Sequence, residues 1–337
     1  MHKTELASQD QAELGSTGSI PDGGTGFYQH RSRSILRLTG ADRLDFLHRI
    51  SSNDLLSLKP FESSGTLLLT DKGRLVDWVR VLQFPTETLL LTGIDSGDRV
   101  RGWIDKYTIM EELQTTDVTP GSLWLSIVGE SSVHTLQHSF QIEPKPGSIT
   151  QGGIGNCAAL INQWVWRTTT VTDIIVPAVD GTTGEMIYTE LRNAGIPSMT
   201  SAAFDRFRIL NGCPESGHEI TSDYNPYECG LRSQISFTKG CYIGQEVVAR
   251  LDTYRKIQRK LVLIRFTEPF EVESLPVPID LDGHSVGTLT SLSGVSQGAD
   301  QISLGIVRNE AVSVGAYVHV GTMKREVRGY IQKEFVE

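Results

Sequence analysis

The sequence predicts an α+β fold with a separate all-β unit at its C-terminal end. Up to about residue 255, helical and strand patterns alternate, and several strand pairs read as short hairpins. Hairpins favour mixed or antiparallel layers over a doubly wound parallel sheet. From about residue 260 the helical period vanishes and short strand patterns succeed one another. A chain of 337 residues can bury a large core and is expected to form two or three domains.

Residues 1–26 mix Ser, Gly and Gln with Glu5, Asp10, Glu13 and Asp22 and are expected to be a disordered tail. Residues 34–38 read as a strand, and Thr39 to Asp42 offer caps for a helix carrying Leu44, Leu47 and Ile50. Strands over 66–69 and 75–82 are joined by the turn Thr70-Asp71-Lys72-Gly73-Arg74. A strand over 88–91 precedes a helix over 96–107 with Val100, Trp103, Ile104 and Tyr107 on one face. Next come a strand over 123–128, a helix over 130–140 and a strand over 163–168. A helix over 183–193 is stopped by Gly195 and Pro197, and one over 201–210 ends at Asn211-Gly212. The later strands cover 261–266, 284–289, 302–307, 317–320 and 327–331, with Asp282-Gly283 as a hairpin signal. The expected division is an α+β region over 27–255 and a small barrel or sandwich over 256–337.

Composition bounds the function. A hydrophobic share of 39% and a charged share of 21% are those of an ordinary globular protein. A net charge of -9 argues against a dedicated binder of nucleic acid or acidic membrane. No apolar run is long enough to span a membrane. Acidic residues near the N-terminus and the lack of a signal-peptide core give a cytoplasmic expectation. Cys157, Cys213, Cys229 and Cys241 form no C-x-x-C pair and are expected to be free thiols rather than metal ligands.

The densest chemistry is Lys239-Gly240-Cys241-Tyr242-Ile243-Gly244-Gln245-Glu246-Val247-Val248-Ala249-Arg250. Two glycines permit a turn or a close approach, and Lys239 beside Cys241 would favour a thiolate. Cys241 is the candidate reactive group; the plainer alternative is a small buried hydrophobe. Lys239, Gly240, Tyr242, Gln245, Glu246 and Arg250 are candidate ligand contacts, or else the parts of a turn and a helix start. The run Arg250–260 carries five Lys/Arg and one Asp, and reads as an anion site or a solvated linker. Asp77 lies inside an apolar strand, and Asn53 in a turn-prone pair with Asp54. His134 and His138 are four apart on a helix, with no third ligand to complete a metal pattern. Gly153-Ile154-Gly155-Asn156-Cys157-Ala158 reads as a turn rather than a dinucleotide loop.

The signature 239–250 resembles that of the YgfZ family of folate-binding proteins, relatives of the aminomethyltransferase (T-protein) of the glycine cleavage system. Four further stretches resemble the family: Leu38-Thr39-Gly40-Ala41-Asp42 through Asn53-Asp54, Asp71-x-Gly73-Arg74-x-x-Asp77, Arg208 through Pro214, and Gly287-x-x-Thr290-Ser291 through Leu304-Gly305-Ile306-Val307. The resemblance implies two interleaved ferredoxin-like units and a C-terminal β-barrel in a ring-like three-domain arrangement, with tetrahydrofolate in the central cavity. It implies a functional thiol at Cys241 facing that cavity, an aspartate role at Asp77 and a folate-contacting aromatic at Phe204. It also implies support of iron–sulfur cluster assembly or repair in client enzymes, including radical enzymes that methylthiolate tRNA. Two departures weaken the alternative of a folate-dependent aminomethyltransferase or demethylase. Trp78 stands where T-protein has a second aspartate, and Leu210 where it has a pterin-holding glutamate. A third alternative is a non-catalytic assembly scaffold.

Overall fold

A computed structural model describes residues 24–129, 131–177, 179–254, 257–295, 300–321 and 326–336. The expected tail lies, up to residue 23, outside the described residues. The chain begins with β1 (Gly26–Gln29) and then builds a first sheet. Its members are β2 (Arg33–Thr39), β3 (Ser63–Leu69), β4 (Leu75–Gln83), β5 (Glu87–Ile94) and β6 (Gln114–Asp117), with α1 (Arg43–Ile50) and α2 (Gly97–Tyr107). The second sheet uses β7 (Leu123–Val128), β8 (Ile149–Ile154), β9 (Cys157–Trp166) and β10 (Thr169–Val176). It carries α3 (Ser132–Phe140), α4 (Gly181–Asn193) and α5 (Ser201–Leu210). After α6 (Gln245–Tyr254) come β11 (Arg259–Phe266), β12 (Val277–Leu281), β13 (His284–Leu292), β14 (Gln301–Arg308), β15 (Tyr317–Gly321) and β16 (Glu326–Glu334).

The first sheet runs β3-β4-β5-β2-β6 and the second β1-β7-β10-β9-β8, with antiparallel neighbours throughout. Since β1 joins the second sheet but precedes the first in the chain, the two layers interleave. The last strands close a barrel, in which β11 pairs with both β14 and β16. The expected α+β architecture with a C-terminal barrel is therefore present.

Local chemistry sets the elements. In α1, Phe46, Leu47 and Ile50 form the buried stripe, with Asp45 in the first turn and His48 and Arg49 in the last, as the helix dipole favours. Asp180 and Thr200 cap α4 and α5 by accepting from the backbone N–H groups of Thr183 (2.8 Å) and Ala203 (3.2 Å). Asp282 and Gly283, both at positive φ, make the tight β12–β13 hairpin.

Two mixed clusters and a polar contact join the parts. Leu82, Leu89 and Leu91 of the first sheet pack with Trp124 and Ile175 of the second. Leu67 and Leu75 of the first sheet share a cluster with Leu261, Leu304 and Phe335 of the barrel unit. Trp166 of the second sheet belongs to that same cluster, and Arg208 of α5 donates to Ser291 Oγ of the barrel at 3.0 Å.

Five strands escape the sequence pattern. β1 and β6 have four residues each, and β8 is polar and glycine-rich. β12 contains Pro278, and the apolar period of β10 is broken by buried Asp173. The strand read over 163–168 ends at Trp166, because Arg167 takes φ +54° in a two-residue hairpin. In 153–158 the turn is confined to Gly155-Asn156, between paired Ile154 and Cys157.

Candidate functional site

Cys241 is an exposed free thiol on the loop that leads into α6. Its neighbours build the loop. The Lys239 ammonium donates to the carbonyl oxygens of His48, Ser51 (2.7 Å) and Asn53 (3.0 Å), satisfying the C-terminal end of α1. Burial pulls the Lys239 amine down to about 8. Tyr242 is buried, and desolvation pushes its phenol up to about 12. Its backbone N–H donates to the Gln245 side-chain oxygen at 3.4 Å. Gly244 has φ +83°, and a Cβ there would stand 2.5 Å from the Thr70 carbonyl oxygen, so the loop lies directly on the β3–β4 turn. Among the described residues, nothing lies within 4 Å of where a Gly240 Cβ would stand, so none of them requires glycine there.

The other candidates separate into distinct places. Asn53 shares the Lys239 anchor through its carbonyl, while its side-chain amide donates to Gly65 O at 2.9 Å and Ser64 Oγ at 3.2 Å. Glu246 and Arg250 pair with each other at 2.6 Å on the exposed face of α6. In the basic run, Arg259 pairs with Glu228 and Lys260 with Glu334, each at 2.8 Å, while Arg255 and Lys256 lie outside the described residues. The described cations of the run are thus neutralised locally. His134 and His138 sit exposed on α3, their rings stacked with centroids 6.1 Å apart.

Asp77 is wholly buried on β4. It accepts from Gly93 N (3.1 Å), Ser96 Oγ (3.3 Å) and Ser216 Oγ (3.0 Å), with Arg99 at 3.7 Å. Burial raises its carboxyl above the ordinary value despite these donors. These donors engage both carboxylate oxygens, so Asp77 is the centre of a buried network.

The neighbouring positions on the opposite face of β4 are Trp78 and Arg80, and they meet β9. Trp78 packs against Trp164 and Trp166, with ring centroids 5.8 Å and 4.8 Å away. The Arg80 guanidinium lies 3.8 Å from the Trp164 ring centroid. Asp173 of β10 accepts from the indole N–H groups of Trp164 (2.8 Å) and Trp124 (3.2 Å) and from Ser126 Oγ (2.5 Å). Ser126 Oγ also lies 2.7 Å from His30 Nε2. Phe204 of α5 stacks on Tyr28 with centroids 4.3 Å apart, and meets His30 edge-on. The result is an aromatic cluster between the two sheets, here called the chamber, with an arginine and an aspartate among its side chains. Leu210 packs against the adjoining core cluster as an apolar wall.

Among the sequence candidates, the chamber contains only Phe204. Arg80, Trp164, Asp173 and His30 were not singled out. The available signal was the alternation Trp78-x-Arg80 and Trp164-x-Trp166, which puts large amphipathic side chains on one face of each strand.

Comparison with known proteins gives this geometry its context. A chloroplastic protein of Arabidopsis thaliana, provisionally named a transferase, is 28% identical over 303 residues, covering 85% of this chain and 66% of its own length. The aminomethyltransferase of Herpetosiphon aurantiacus is 21% identical over 314 residues, covering 92% of this chain and 86% of its own. The crystal structure of the glycine cleavage system aminomethyltransferase T from Bartonella henselae superposes with a TM-score of 0.79 over 98% of this chain and 95% of that one. At 15% identity that likeness establishes a shared fold. The family described as the GCVT N-terminal domain matches residues 25–239, which include both sheets, the chamber and the Lys239 anchor, and the chain belongs to that family.

Proposed function

We propose that the protein binds tetrahydrofolate in the chamber between its sheets and supports iron–sulfur cluster assembly or repair in client enzymes, with Cys241 as its functional thiol. The observation that carries this reading is the division of labour in the signature loop. Lys239 and Tyr242 are spent on anchoring, and Cys241 is left exposed. In this reading Cys241 handles a one-carbon, sulfur or cluster intermediate, and folate acts as acceptor or allosteric ligand. Client enzymes include radical enzymes that methylthiolate tRNA, and the setting is cytoplasmic. Among the described residues, no helix is long and apolar enough to cross a membrane.

Two side chains, Asp77 and Leu210, also support this reading over an aminomethyltransferase. Asp77 is enclosed by protein donors, and Leu210 offers no hydrogen bond to a pterin. The names of the relatives favour the aminomethyltransferase as the competing reading. Calorimetric titration with tetrahydrofolate, beside activity of cluster-dependent enzymes in cells carrying Cys241→Ser, tests the proposal. The expected result is folate binding by both forms and lost client support with the serine variant. Full client support with Cys241→Ser would remove the thiol from the mechanism. Turnover of a methylamine donor would favour the transferase, and absence of folate binding would leave a scaffold.

A further inference from the structure

Two side chains of the chamber carry hydrogen-bond donors without a partner among the described residues. Arg80 is half-buried, its guanidinium rests on Trp164, and it has no hydrogen-bond or ion-pair partner among the described residues. Desolvation, only partly offset by Asp173, pulls its pKa down to about 10. Arginine carries five N–H donors, and leaving them unpaired in a desolvated place is costly.

A second donor lies close by. Asn162 is completely buried on β9, two residues before Trp164 on the same strand face. Its side-chain oxygen accepts from Ser63 Oγ at 2.5 Å, while its Nδ2 has no partner among the described residues. Ser63 stands two residues before Gly65, which is the register partner of Arg80. Strand register therefore places the Arg80 and Asn162 donors along one stretch of the interface between the sheets.

The carboxylate in the same place is already engaged. Asp173 takes three donors, from Trp124, Ser126 and Trp164. A ligand entering here finds spare donors and aromatic faces rather than spare acceptors. That polarity is opposite to a site built around a glutamate that accepts from a pterin, and Leu210 is its apolar counterpart.

We infer that Arg80 and Asn162 form a donor pair that takes an acceptor oxygen, either a ring carbonyl or a carboxylate, of a planar ligand stacked against the chamber tryptophans. The inference rests on the reading of the chamber as the ligand site. It adds which residues grip the ligand and which ligand atoms they grip. In a folate, the two sources of such an oxygen are the pterin carbonyl and the glutamate carboxylates.

The test measures quenching of tryptophan emission and calorimetric binding for wild type, Arg80→Gln, Arg80→Lys and Asn162→Leu. The probes are tetrahydrofolate, a tetrahydropterin and p-aminobenzoylglutamate, and thermal melts check that each variant is folded. Tetrahydrofolate binding should weaken at least tenfold in Arg80→Gln, partly recover in Arg80→Lys, and fall severalfold in Asn162→Leu. The fragment whose affinity follows Arg80 identifies the oxygen. A folded Arg80→Gln protein that binds tetrahydrofolate as tightly as wild type overturns the inference and leaves the folate reading standing. Arg80-dependent binding of a fragment without binding of tetrahydrofolate sinks the folate reading and keeps the donor pair. Binding of none of the three probes overturns both.

Discussion

His30 shows how one buried group couples this molecule to pH. Desolvation first, and Arg33 second, hold its imidazole well below the ordinary value of 6.5. The unfolded chain therefore takes up this proton below about pH 6.5 while the folded chain does not. The stability contributed by neutral His30 is complete above that value and is lost as pH falls beneath it, by up to about 1.4 kcal/mol per pH unit. Replacing His30 by Gln should remove this acid sensitivity. Between pH 7 and 5.5 the stability of the variant relative to wild type should improve by about 1 kcal/mol in denaturant melts. Parallel pH profiles would show that His30 is protonated in the fold. At this scale some candidate residues stand out in the sequence and others do not. Cys241 could be picked out because its neighbours are chemically unusual for a core segment. Arg80, Asn162 and Asp173 could not, since a charged or amide residue in a strand reveals its role only once the opposing strand is known.

Among the elements, the signature loop depends on two contacts of different kinds. Lys239 ties it to the last carbonyls of α1, and Gly244 lets it lie on the β3–β4 turn. Gly244→Ala combines a left-handed backbone with a Cβ 2.5 Å from the Thr70 carbonyl oxygen. It should cost about 1–3 kcal/mol in stability, measured by chemical unfolding. An unchanged midpoint would mean that the loop relaxes freely off the turn. Most elements were legible because their apolar residues repeat with the period of one structure. α2, for example, buries Val100 and Ile104 as its spacing demands. The lost strands are those in which pairing overrides propensity. β8 holds Gly152 and Gly153 in register with Ala159 and Ala158, and β10 keeps Asp173 inside because two indoles and a serine satisfy it.

Across the molecule, the barrel is fastened to the layers by a buried polar junction. Glu219 is fully buried and accepts from Thr290 Oγ1 (2.5 Å), Ser291 Oγ (2.7 Å) and Glu215 N (3.1 Å), with Arg208 at 3.5 Å. Arg208 also pairs with Asp205. The stretches 208–214 and 287–291, legible as motifs, thus meet at the domain junction. Glu219→Leu removes the fully buried carboxylate facing Arg208, which keeps Asp205, and should destabilise the protein by about 3 kcal/mol. The double variant Arg208→Met with Glu219→Leu should recover part of that loss, and additive losses in the double-mutant cycle would show that the two do not act as a pair.

The interleaving of the sheets has a consequence for the chain as a polymer. β1 and β7 are hydrogen-bonded neighbours, with Gln29 opposite Leu125, so the entire first sheet is strung between the two arms of one hairpin. Closing a flexible loop of roughly a hundred residues costs on the order of 4 kcal/mol of chain entropy. A loop that is itself a folded sheet has already brought its ends together. The first sheet thus serves the second as a preformed clasp, and sheet order and chain entropy favour the same arrangement.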